Sequence, residues 1–145
     1  MLRYENGQFS LEGVSFTIPD GWYLDCSPDV IFVNGLELYP PDYACCVDVF
    51  LSYDCKSPEE ELVTLFALDS EMKLRGEIRP VSCNGLTGCE AWYDSEEECY
   101  YEARFEIRQG RQLHHFCLGV VSKASLDELL KRPDIAALRS SLRKD

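Results

Sequence analysis

The chain has 145 residues, 46% of them hydrophobic, with 26 acidic side chains against 14 basic ones and a formal net charge of −12. That length suits one domain able to bury its own core, and that charge repels a phosphate backbone, so nucleic acid is excluded as the expected partner. No stretch approaches the roughly 20 apolar residues of a membrane helix, and residues 1–7 lack an apolar core followed by a cleavage site, so a cytoplasmic location is expected; an extracytoplasmic chain with its signal removed reads the same way.

Residues 9–18 are read as a half-buried strand, because Val14, Phe16 and Ile18 alternate with Ser15 and Thr17. Pro19-Asp20-Gly21 turns the chain into a short strand at residues 22–24, which Ser27-Pro28-Asp29 ends. Residues 30–33 predict the next strand, joined through Asn34-Gly35 to another at 36–39, since both turn residues tolerate positive φ. After Pro40-Pro41-Asp42, the long apolar run over 43–53 predicts a strand near the centre of a sheet.

Ser57-Pro58-Glu59-Glu60 combines a capping hydroxyl, a proline at the first helical position and a glutamate three residues on. It predicts a helix carrying Leu62, Leu65, Phe66 and Met72 on one face, with Lys73 and Arg75 in its last turn and Gly76 ending it. The run Glu59-Glu60-Glu61 serves the helix dipole.

A meander follows: strands over 77–83, 86–93, 99–108 and 112–121, with turns at Asn84-Gly85, 94–98 and Gln109-Gly110. A two-residue loop at Gln109-Gly110 sets Phe105 opposite His114 and Ala103 opposite Phe116 on a core face. On the reverse face it pairs Glu106 with Leu113, Arg104 with His115 and Glu102 with Cys117, a polar set expected to be partly wet. Glu96-Glu97-Glu98 is read as a solvated hairpin tip. Ser125-Leu126-Asp127-Glu128 opens a second helix, re-aimed at Pro133 and carrying Ile135, Leu138 and Leu142 on one stripe. The order predicts an α+β fold over residues 1–145 as a single domain: an antiparallel sheet with a central helix and a C-terminal helix packed on it.

The phrase Phe16-Thr17-Ile18-Pro19-Asp20-Gly21-Trp22, the single central helix and the closing meander plus helix resemble the PsbP-like superfamily, which also holds a Ran-binding nuclear import factor and bacterial DcrB-like proteins. The resemblance spans nearly the whole chain. It implies an α/β/α sandwich, and a binding subunit, adaptor or secretion chaperone in place of an enzyme. It carries no catalytic motif onto numbered residues.

Chemistry is sparse in the chain. There is no glycine-rich phosphate loop, no Gly-x-Ser-x-Gly, no His-Glu-x-x-His and no Cys-x-x-Cys, and the eight cysteines are read mainly as free thiols on apolar strand positions. The two histidines, His114 and His115, fall on opposite sheet faces and cannot share a ligand. No catalytic, cofactor-binding or metal residue is therefore assigned and no cofactor is expected. The expected role is a non-catalytic protein-binding module, whether adaptor, secretion chaperone or immunity-type protein. Its tools are an acidic front portion, with eleven carboxylates against Arg3 and Lys56 in residues 1–60, and adjacent aromatic pairs at Trp22-Tyr23, Trp92-Tyr93 and Tyr100-Tyr101. Two alternatives stand beside it: a small metal-binding protein or enzyme using His115, Cys117 and Glu102 as nitrogen, sulfur and oxygen donors, and an extracytoplasmic ligand-binding or lipoprotein domain.

Overall fold

The computed structural model describes residues 2–5, 7–25, 35–67 and 71–145; the strand expected at 30–33 and the turn residue Asn34 lie outside them. Along the chain, β1 (Leu2–Glu5), β2 (Gln8–Leu11), β3 (Val14–Thr17), β4 (Tyr23–Asp25), β5 (Gly35–Tyr39) and β6 (Cys46–Ser52) precede helix α1 (Pro58–Thr64). The strands β7 (Lys73–Cys83), β8 (Leu86–Asp94), β9 (Cys99–Gln109) and β10 (Gln112–Ser122) follow, then α2 (Leu126–Leu129), α3 (Pro133–Ser141) and β11 (Arg143–Lys144). They form a seven-stranded sheet ordered β4-β5-β6-β10-β9-β8-β7 and a four-stranded sheet ordered β1-β2-β3-β11.

One face of the large sheet carries Leu36, Leu38, Val47, Val49, Phe116 and Leu118, all essentially inaccessible. It packs against Phe9, Leu11 and Phe16 of the small sheet and against Leu126, Ile135, Leu138 and Leu142 of the C-terminal helices, which together form the main core. The stripe read from the sequence for the last helix is thus the buried one. The opposite face is covered over β7, β8 and β9 by α1, where Leu62, Met72, Ala91 and Tyr93 make a second, smaller core. A seven-residue helix has little stability of its own. It is held by Leu62 and by the Tyr93 hydroxyl, which donates to the Leu62 carbonyl at 2.5 Å.

Several expectations change. Residues 9–18 are two strands, because Glu12 and Gly13 both take positive φ (48° and 85°) in a tight turn that sets Phe9 opposite Phe16. Alternation alone cannot separate a hairpin from one long strand when both halves share a face. The cap of α1 is as expected in part: Ser57 Oγ accepts from the Glu60 amide at 3.2 Å, but Glu61, not Glu60, reaches back, accepting from the Lys56 amide at 2.9 Å. The helix ends at Thr64; Lys73 and Arg75 belong to β7, paired with Asp94 and Trp92, and Gly76 sits in a bulge between Arg75 and Arg79.

The β9–β10 loop is Gly110-Arg111, with Gly110 first and at φ 64°, the position a two-residue type II′ turn requires. The register therefore moves by two residues, to Ile107↔His114, Phe105↔Phe116, Glu106↔His115, Arg104↔Cys117 and Glu102↔Gly119. A shift of two preserves every side chain's face.

Candidate functional site

The reverse face of the large sheet carries two polar groups of unlike character. Under α1, Glu102, Arg104, His115 and Cys117 are all buried, which corrects the expectation of a partly wet set. Their burial follows from α1 and the segment before it, where the Cys55 amide donates to the Leu113 carbonyl and closes the chain over this end of β10. Arg104 Nε donates to Glu102 Oε2 at 2.6 Å, and Arg104 Nη1 lies 3.3 Å from His115 Nδ1. Tyr100 donates its hydroxyl to the other Glu102 oxygen at 2.5 Å. Its ring lies where a side chain at Gly119 would stand, since a Cβ there would come within 2.6 Å of the Tyr100 oxygen.

An arginine can only donate, so His115 accepts at Nδ1 and carries its proton on Nε2, which is buried and, among the described residues, has the Lys56 backbone as its nearest hydrogen-bonding group. Burial, followed by the Arg104 charge, pushes the His115 pKa down to about 4. Burial likewise pushes the Cys117 thiol far up. The sequence-derived donor set of His115, Cys117 and Glu102 is thus brought to one neighbourhood, but Arg104 stands between the carboxylate and the imidazole. A guanidinium in that place repels a metal ion, so the set is a closed ion-pair network. His114 lies on the other face, accepting from the Asp54 amide at 3.1 Å and edge-on to Tyr53.

The β4–β5–β6 end of the same face is different. The register places Asp25 opposite Glu37, Glu37 opposite Asp48, Asp48 opposite Gly119 and Gly119 opposite Glu102. Four carboxylates therefore form a lateral row across the sheet, and like charges directly opposed destabilise a strand pair. Glu102 has an arginine bonded to it, whereas no ion pair to Glu37 or Asp48 exists among the described residues. Tyr39 donates its hydroxyl to Glu37 at 2.7 Å, and the Cys46 thiol lies 3.6 Å from Asp48 Oδ1. Burial, then the Glu37 charge, raises the Asp48 pKa to about 6, and burial raises Cys46 to about 12. Beside them Tyr23 and Tyr43, 52% and 63% exposed, stack at 5.3 Å with planes 11° apart, and Tyr39 tilts against Tyr43. A hollow of about 390 Å³ opens next to this group, lined by Tyr39, Tyr43, Cys46, Glu98 and Lys123.

No protein-family model and no curated protein sequence matches the chain. Solved structures do. The solution structure of cyanobacterial PsbP (CyanoP) from Synechocystis sp. PCC 6803 superposes with a TM-score of 0.63 at 11% identity, covering 100% of this chain and 92% of that one. LpqN of Mycobacterium tuberculosis, described as involved in cell envelope biogenesis, superposes with a TM-score of 0.62 at 14% identity, covering 90% of this chain and 82% of its own. The chain has the PsbP-like fold.

Within the PsbP-like fold, the aromatic pairs flagged in the sequence separate by face. Trp22 and Tyr101 enter the main core, Tyr93 lies under α1, Tyr100 closes over Gly119, and Tyr23 is left exposed. Sequence reasoning missed Glu37, Cys46 and Asp48. The signal was present as period-two spacing, Glu37-x-Tyr39 and Cys46-x-Asp48, but it becomes a site only when the β5–β6 register is known.

Proposed function

We propose that the chain is a non-catalytic protein-binding module whose docking face is the β4–β5–β6 end of the large sheet. The observation that carries this reading is the stacked, exposed Tyr23–Tyr43 pair beside the Glu37 and Asp48 carboxylates. Tyrosines supply large contact area at little entropic cost, and their faces attract lysine and arginine, while the carboxylates select a basic partner surface. The partner is thus a protein with a basic or apolar contact surface. After isolation of that partner from the native host, calorimetric titration should give binding that weakens as salt rises and falls more than about tenfold with Tyr43→Ala. Affinity unchanged in both Tyr23→Ala and Tyr43→Ala would refute this docking face.

A cytoplasmic setting fits the seven cysteines among the described residues, all unpaired. The likeness to LpqN, described as involved in cell envelope biogenesis, favours the extracytoplasmic alternative. Thiol titration of the denatured native protein without reductant separates them: fewer than half of the eight cysteines titrating would favour the envelope.

A further inference from the structure

We propose that Glu37, Cys46 and Asp48 form a binding site for a soft divalent cation of the zinc class, independent of whether the neighbouring tyrosines dock a protein. One ligand atom from each of the three side chains lies within 4.8 Å of the other two. The donors come from adjacent antiparallel strands in fixed register, Glu37 opposite Asp48, with Cys46 two residues from Asp48 and so on the same face. Zinc bound tetrahedrally to a thiolate and a carboxylate at the usual bond lengths puts those two donors roughly 3.6 Å apart. The Cys46 sulfur and Asp48 Oδ1 are already separated by 3.6 Å.

A thiol among the ligands distinguishes this set from a solvated patch of carboxylates, which favours calcium or magnesium or no ion at all. All three side chains are half-buried, so two carboxylates face each other with reduced solvation and no paired cation among the described residues. Tyr39 orients Glu37 by donating to it at 2.7 Å, the outer contact that fixes a ligand's direction. Three protein donors would leave a fourth tetrahedral position for water or for a group on a partner, and Cys46 also lines the adjoining hollow. Binding replaces the Cys46 S–H bond by a sulfur–metal bond, and the proton leaves to solvent.

The test uses the full chain stripped with chelator and titrated with Co²⁺ and Cd²⁺, followed by competition with Zn²⁺. Binding of one ion per chain with a thiolate-to-metal charge-transfer band is expected. Cys46→Ser should abolish the band although the other seven cysteines remain, and Glu37→Gln and Asp48→Asn should each weaken binding by more than about tenfold. Cys89→Ser, at a half-buried thiol elsewhere on the sheet, should leave the band unchanged. In case a variant misfolds, the wild-type chain gives a second readout: Zn²⁺ should slow alkylation of Cys46, located by peptide mass mapping, and leave Cys89 unaffected. No stoichiometric ion, a band that survives Cys46→Ser, or protection that falls on cysteines other than Cys46 would overturn the site. The tyrosine substitutions leave all three ligands in place, so partner binding and metal binding can fail separately.

Discussion

Replacing Arg104 by methionine tests whether the covered half of the reverse face depends on its charge pairing. Methionine keeps much of the aliphatic stem and its packing while removing the guanidinium. The change leaves Glu102, 1% exposed, without a counter-ion, and removes the donor to His115 Nδ1. Breaking a buried pair from one side costs about 3–5 kcal/mol, because the remaining charge stays desolvated. Side chains exposed by only 6% and 1% leave no room for solvent screening to reduce that figure. Tyr100 still donates to Glu102 at 2.5 Å, so the lower end, about 3 kcal/mol, is expected. Removing both charges in Arg104→Met with Glu102→Gln should bring stability back to within about 1 kcal/mol of the parent. Urea unfolding followed by circular dichroism, with m-values compared, reads both. The reasoning is refuted if Arg104→Met alone costs under about 1 kcal/mol, or if the double variant is no more stable than the single one.

Protonation of His115 should be visible in the acid limb of stability. Its pKa falls from 6.5 unfolded to about 4 folded, so its contribution is complete above pH 6.5 and is lost as pH drops toward 4. The full amount is about 3 kcal/mol. Asp48, raised to about 6, slopes the opposite way in the metal-free chain, so the quantity to compare is wild type minus His115→Gln; equal slopes between them would refute the assignment. Ser57→Ala should cost about 1 kcal/mol by removing the α1 cap, whereas Glu97→Ala is near neutral, since the Glu97 amide that bonds to Ser95 is kept; equal denaturant midpoints would contradict this. Asn84 sits at φ 45° and donates through its side chain to the Ser140 and Leu142 carbonyls at the end of α3, so Asn84→Gly should lose about 1–2 kcal/mol and Asn84→Ala more, as measured by the same melts.

The parts of the fold legible in the sequence were those with local causes. The Ser57-Pro58 start of α1, the Asn84-Gly85 turn and the apolar run of β6 each follow from a few neighbouring residues. What was not legible depends on partners distant in sequence. Lys73 and Arg75 read as a helix terminus until β8 is available to pair with them, and Gly76 reads as a helix stop until the bulge is seen. Gln109-Gly110-Arg111 offers two possible two-residue loops, and the wrong one moves the register without changing any face. That is why the grouping of Glu102, Arg104, His115 and Cys117 on one face was recoverable while their pairing and burial were not. Nothing in a polar pattern reveals that a seven-residue helix covers it.

Asp48 and Glu102 lie in one lateral row with only Gly119 between them, roughly 10 Å apart by strand spacing, yet they are treated in opposite ways. Glu102, beneath α1, is matched by an arginine and a tyrosine; Asp48 faces another carboxylate and a thiol. Stability alone would favour a basic residue opposite Asp48, because opposed like charges cost a few tenths to about 1 kcal/mol. A cost left uncorrected at one position, while its neighbour in the same row is fully compensated, is characteristic of a site whose charge is relieved by what it binds. Glu37→Lys separates the two effects. It replaces repulsion by a cross-strand ion pair and should stabilise the metal-free chain by about 0.5–1 kcal/mol, less the lost Tyr39 hydrogen bond, while abolishing binding of the cation. A substitution that destabilises the chain, or one that leaves cation binding intact, would show that the Glu37–Asp48 opposition is not held in reserve for a ligand.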